Sequence, residues 1–230
     1  MKSRFGKSMN GKRGVKLIQR LLLIVFAVVN MTGATAASVI VFDQPPDLFG
    51  NASISSTLDN FGGTPGYRTA DNFALAQAET ITDVHWWGRQ GDSVPPFADS
   101  FTFTFYADQS GAPGSALLTT SGSLTILPLN VNGVNLYSSN LTDAFFAAAG
   151  ITYWLSVFDS GAAASWVWLA ADAVGDGAWQ GDIDATFPVT IDLGDRAFQL
   201  TVPEPATLAL VGLGLAGLAA ARRRKVIGSA

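Results

Sequence analysis

Apolar and polar residues alternate along the middle of this chain, and a period of two restricts that region to β-structure. Phe101-Thr-Phe-Thr-Phe-Tyr106 puts Phe101, Phe103 and Phe105 on one face and Thr102, Thr104 and Tyr106 on the other. In Thr80-Ile-Thr-Asp-Val-His-Trp-Trp87, Val84 and Trp86 share a face, which leaves His85 and Trp87 opposite. Ile151, Tyr153, Leu155 and Val157 separate from Trp154 in the same way, and Trp166 pairs with Trp168. Gly62-Gly-Thr-Pro-Gly66, Asp108-Gln-Ser-Gly-Ala-Pro-Gly114, Asn130-Val-Asn-Gly133 and Gly175-Asp-Gly177 supply the turns between such runs. Strands are expected near 38–43, 53–58, 68–75, 80–88, 100–107, 115–127, 134–139, 151–158, 165–170 and 196–201. Leu141–Ala149 reads either as a helical turn or as a strand followed by a loop. The expected fold is all-β, an antiparallel, jelly-roll-like β-sandwich.

Charge divides the chain into segments. Residues 1–37 carry seven basic side chains and no acids, residues 38–201 carry Arg68, Arg89 and Arg196 against seventeen acids, and residues 202–230 carry four basic groups against Glu204. The net charge of -4 is therefore the sum of +7, -14 and +3. After the basic stretch, the apolar run Leu21–Val29 and the small residues Ala34-Thr-Ala36 have the order of a secretory signal peptide, 1–37, cut by signal peptidase. At the other end, Val202-Pro-Glu-Pro205 precedes sixteen uncharged residues, Ala206–Ala221, and then Arg222-Arg-Arg-Lys225. Sixteen helical residues rise about 24 Å, close to the roughly 30 Å of a bilayer core once snorkelling side chains are counted. The reading is a C-terminal transmembrane helix with its basic end in the cytoplasm, which places the domain of residues 38–201 outside. Residues 226–230 form a tail.

The three-part C-terminus resembles the PEP-CTERM sorting signal of exopolysaccharide-producing Gram-negative bacteria. That resemblance implies recognition and cleavage by exosortase, an integral-membrane enzyme. Pro203, Glu204 and Pro205 correspond to the sorting motif, and Arg222, Arg223, Arg224 and Lys225 to the membrane-stop anchor of the segment 202–225. It further implies that the protein is anchored in the inner membrane with its domain in the periplasm, then passes to the cell surface or extracellular matrix. Gly212-Leu-Gly-Leu-Ala-Gly217 fits a dinucleotide fingerprint in letters only, since no strand–helix–strand context follows it. The middle is similar to β-sandwich domains found on exported PEP-CTERM proteins, through Ala70-Asp-Asn-Phe73, Ile81–Gly88, Phe103–Tyr106 and Tyr153–Ser156 with Trp166-Val-Trp168. This second resemblance implies a fold and an exported setting, and no catalytic set.

Reaction chemistry finds little to use. Cysteine is absent, and between residues 38 and 201 lysine is absent and His85 is the single imidazole. Thiol, Schiff-base and Ser-Lys catalysis are thereby excluded, and His85 reads as an ordinary strand residue without a Ser-His-Asp partner set. No catalytic residue is assigned. An Asp-dependent glycoside hydrolase is a third-ranked alternative, because Glu79 is the domain's single Glu and most Asp residues sit in turn contexts. Asp172, Asp176, Asp182 and Asp184 crowd one Gly-containing stretch and are candidate calcium ligands. Trp87 and Trp179 are candidates for an exposed sugar-stacking platform. Nucleic acid is an unsuitable partner for a domain near -14 with three scattered arginines. The function expected is that of an exported envelope or matrix protein, structural or surface-interacting within exopolysaccharide. The first alternative is a carbohydrate- or calcium-dependent binding module.

Overall fold

The computed structural model describes residues 38–57, 66–91, 99–161, 165–172, 175, 177–183, 189–190 and 194–204, together with Gly212, Gly214, Leu215 and Gly217. The expected signal peptide, and the expected transmembrane helix apart from those last four residues, lie outside the described residues. Among the described residues no helix is long and apolar enough to cross a membrane.

Among the described residues thirteen strands form two antiparallel sheets. The first contains β1 (Ser38–Gln44), β13 (Phe198–Pro203), β4 (Glu79–Gln90), β10 (Trp166–Leu169) and β2 (Ala52–Ile54) in that order, with β8 (Asn135–Ala147) on β4 and β7 (Gly122–Pro128) on β8. The second runs β12 (Val189–Thr190), β11 (Trp179–Asp182), β3 (Tyr67–Ala74), β9 (Thr152–Asp159), β5 (Phe101–Asp108) and β6 (Pro113–Thr120). The expected segment 115–127 is divided into β6 and β7 at Ser121. Leu141–Ala149 is strand for most of its length: Phe145 and Ala147 turn inward while Phe146 is exposed, and pairing with β4 overrides the helix propensity of its alanines. The register shift opposite Ile81 and Asp83 absorbs its extra residues.

The core lies between the sheets and is built from the faces that alternation selects. Phe73, Phe103, Phe105, Leu155 and Val157 come from one sheet, and Ile81, Val84, Trp86, Tyr137, Phe145, Trp166, Trp168, Phe198 and Leu200 from the other. Its rings lock in defined geometries: Phe105 stacks on Phe145 with centroids 4.2 Å apart, and Trp86 stacks on Tyr137 at 5.5 Å. The Asn130–Gly133 turn places Asn130, Asn132 and Gly133 at positive φ, the conformation its residue types tolerate.

Candidate functional site

Each of the sequence-derived site residues that the structure describes has a definite place. Trp87 is not exposed. It points away from the main core, but the outer face of its sheet carries a second apolar layer of Leu48, Ala52, Leu129, Val134, Leu136, Leu169 and Ala197, which buries it. The loop before β2 and the β7–β8 turn close over this face, where the Asn132 side chain donates to the Leu48 carbonyl at 3.3 Å. Trp179 keeps part of its surface. It packs on Ala70, Tyr106 and Trp154 across the outer face of the second sheet. Its indole N–H donates to the Gly111 carbonyl at 3.1 Å, and that of Trp154 to Asp108 at 2.9 Å. Asp172 and Asp182 are exposed, Asp182 opposite Tyr67 at the end of β11 and Asp172 beside Pro45. Asp176 and Asp184 lie outside the described residues. Among the described residues no group of three His, Cys, Asp or Glu side chains could hold a metal ion. His85 lies between Ser138 and Gln199, with its pKa lowered by burial and raised in part by Asp83.

The titratable groups that the fold brings together are others. One cluster joins the two sheets. Asp71 on β3 accepts from the backbone N–H of Arg196, which lies just before β13, and from that of Asn72 at 2.8 Å. The Arg196 guanidinium donates to Ser53 Oγ at 2.9 Å, to the Trp168 carbonyl at 3.3 Å and to the Gly194 carbonyl at 2.8 Å. Asp195 accepts from Gly177 N–H at 2.9 Å and from the Gln44 amide at 3.2 Å. Burial pushes the Asp71 carboxyl up to about 8, against the backbone donors and with Asp195 adding to the rise. Burial also draws the Arg196 guanidinium down, with Asp71 and Asp195 opposing the fall. One guanidinium faces two carboxyls, so a proton on Asp71 brings the cluster to neutrality.

The second cluster lies at the ends of β4, β5 and β9. Asp159, wholly buried, accepts at Oδ1 from the backbone N–H groups of Ser100 and Gly161, both at 3.0 Å. Its Oδ2 is buried and has no hydrogen-bond donor. The Asp99 carboxyl lies against it and is held by the Gln90 amide and the Tyr137 hydroxyl. Asn135 donates to that hydroxyl at 3.3 Å. Burial raises Asp159 to about 6, with the nearby Asp99 charge adding to the rise, and burial also raises Asp99. Two carboxyls in contact cannot both stay ionised without a counter-charge.

The sorting segment starts within the sheet. β13 lies between β1 and β4, with Phe198 opposite Trp86 and Leu200 opposite Val84 on one side. On the other side Ser38 faces Pro203 and Val39 faces Val202. Thr201 and Val202 are buried, Pro203 is exposed, and Glu204 follows. Proline suits the last position of such a strand because it has no N–H to offer a continuing ladder. Residues 201–225 match the family described as the PEP-CTERM protein-sorting motif. The chain carries a PEP-CTERM sorting motif. No curated protein matches the chain. The PEP-CTERM match overlaps the last three residues of the strand, so Thr201, Val202 and Pro203 belong both to the sorting signal and to the sandwich. Pro205, Arg222, Arg223, Arg224 and Lys225 lie outside the described residues. A PEP-CTERM motif on an all-β domain is the signature of an exported, surface-associated protein processed by an exosortase-like enzyme.

Proposed function

We propose that this is a non-enzymatic protein of the cell envelope or extracellular matrix, with a structural or surface-interacting role in exopolysaccharide. In this reading the C-terminal helix holds the protein in the inner membrane with the sandwich in the periplasm. An exosortase-like enzyme then cuts near Pro203–Pro205, and the sandwich passes to the surface or matrix. The overlap of the PEP-CTERM motif with the end of β13 carries the proposal. A cut just beyond Pro203 would leave every described strand pairing intact, so folding and processing do not compete. The domain's charge near -14 favours solubility among anionic polymers. Mass spectrometry of the mature protein from its native host tests this. The expected product begins near Ser38 and ends near residues 203–205, whereas a chain intact through Ala230 overturns the processing.

A second reading, a glycan-binding module, draws on Trp179, whose partly open indole sits on Tyr106 and Trp154. Trp179→Ala should abolish retention on the host polysaccharide if that reading holds, and unchanged retention would set it aside. Glycoside hydrolysis gains no support from Asp99 and Asp159, because carboxyls in contact leave no room for the sugar that such enzymes hold between groups about 5–9 Å apart.

A further inference from the structure

Sheet edges are where a β-protein is open to another chain, because each presents a row of unpaired N–H and C=O groups. Most edges of this sandwich are blunted. β2 has three residues and β12 two. β1 carries Asp43 and a register shift between Ile40 and Phe42, and the β5–β6 ladder is broken by two such shifts. β7 has none of these guards. It pairs with β8 in unbroken register from Gly122 to Pro128, and among the described residues no strand lies on its other side. No charged residue occurs between 109 and 142, in a domain that sets three arginines against seventeen acids. Ile126 and Leu127 on this edge are 42% and 56% exposed.

The backbone shows which groups are open. Thr142 N–H donates to the Ser121 carbonyl at 2.8 Å and Leu129 N–H to the Val134 carbonyl at 3.0 Å, so odd-numbered residues bond to β8 and even-numbered ones turn outward. The N–H and C=O groups of Gly122, Leu124 and Ile126 therefore face the open side, and Pro128, next in phase, has no N–H to leave unpaired. We propose that β7 pairs edge to edge with β7 of a second copy of this chain, antiparallel about a two-fold axis at Leu124. In that register Gly122 of each copy lies opposite Ile126 of the other and Leu124 opposite its own counterpart, so every outward N–H meets a carbonyl. Ile126 shares the core-facing phase of Leu124 yet stays exposed for want of a neighbouring strand, and opposite a glycine its side chain finds both room and cover. A row of alternating N–H and C=O groups is matched by another strand rather than by a sugar polymer. Charge selects a second copy: over a surface whose ionised groups are mostly acids, two copies repel, whereas here two uncharged strips meet. Contact through one short strand belongs to the small, transient class of interface, below about 1,200 Å² of buried surface. The pairing is independent of the processing proposal.

The test is sedimentation velocity of the full-length chain in detergent micelles, over about a hundredfold range of concentration. The expected result is a monomer–dimer equilibrium. Thr125→Glu, which puts a charge on the exposed face of the strip, should weaken dimerisation at least about tenfold. Ile126→Pro should do the same, since it removes an outward N–H and leaves the β8 ladder whole; native circular dichroism checks its fold, and Thr125→Glu carries the test if it fails. The register has its own readout, because the chain contains no cysteine. Ser123 of one copy would face Thr125 of the other in a non-hydrogen-bonded pair, with Cα atoms about 4.5 Å apart, a spacing that a disulfide spans. Mixed Ser123→Cys and Thr125→Cys chains, mildly oxidised, should therefore give mostly the mixed dimer, and Asp172→Cys, exposed elsewhere, should give almost none. A chain monomeric throughout, or dimerisation that both β7 variants leave unchanged, overturns the pairing. So do open-ended polymers, which pairing of β7 with a different edge would produce.

Discussion

Two pairs of buried carboxyls are handled differently by this molecule. Asp71 and Asp195 share the guanidinium of Arg196, and the cluster joins β3 to the strand of the opposite sheet. Asp99 and Asp159 share amide, hydroxyl and backbone N–H donors, and no guanidinium. A dipole stabilises a carboxylate but cannot cancel its charge, so the second pair stays dependent on a proton or an added cation. An acid cluster complete in itself reads as architecture. One that lacks its counter-charge is left to share a proton.

Removing Arg196 is the strongest way to break this contrast. Arg196→Met should cost about 3–5 kcal/mol in urea unfolding, because two buried carboxyls lose their one cation. A loss below about 1 kcal/mol would put the two pairs on the same footing.

The pH dependence separates them next. Asp71 and Asp159 both hold protons more tightly folded than unfolded, so the stability they add is complete below the ordinary carboxylate value near 4. It is lost as pH rises, through about 6 for Asp159 and about 8 for Asp71. The Asp159 share is about 3 kcal/mol at 1.36 kcal/mol per unit. Urea midpoints should fall from pH 4 to pH 8, and Asp159→Asn should roughly halve the slope from 4 to 6, where Asp71 still contributes, while sparing the rest. A midpoint that rises with pH over this range would contradict both assignments.

Smaller substitutions sharpen the comparison. A Cβ on Gly175 would fall 1.8 Å from Asp195 Oδ2, a carboxyl fixed by Gly177 and Gln44, so Gly175→Ala should cost about 1–3 kcal/mol by displacing it. Thermal unfolding would show this, and an unchanged Tm would mean that the Asp195 side has slack. Tyr137→Phe removes the hydroxyl from Asp99 and Asn135 and should cost about 1 kcal/mol. Its loss should vanish in the Asp99→Asn background if the hydroxyl acts mainly through that carboxyl.

Alternation alone identified the faces of β4, β5 and β10 that line the core, since Phe103, Phe105, Val84, Trp86, Trp166 and Trp168 are all buried there. It missed β11 and β12. Trp179-Gln-Gly-Asp182 has one apolar residue and no alternation, and its pairing with β3 comes from tertiary contact. Trp87 was misplaced because strand phase tells which face a residue takes, and not whether loops later cover that face. The acid clusters did leave a trace in the sequence. Asp71 is in phase with Phe73, Asp159 with Leu155 and Val157, and Arg196 with Phe198 and Leu200, so each is a charge at a core-facing position. What the sequence could not supply was which of these meet across the sheets. Asp99, in the β4–β5 connection, has no phase at all.

The position of β13 has a mechanical consequence. Load on the C-terminal segment would enter the fold through this strand, which is hydrogen-bonded to β1 on one side and β4 on the other. A lengthwise pull on a strand stresses its rungs together in shear, because they lie perpendicular to it, whereas a pull across the strand opens them one at a time. The strand in which the sorting motif begins is therefore also the one best placed to bear tension applied through the C-terminal segment.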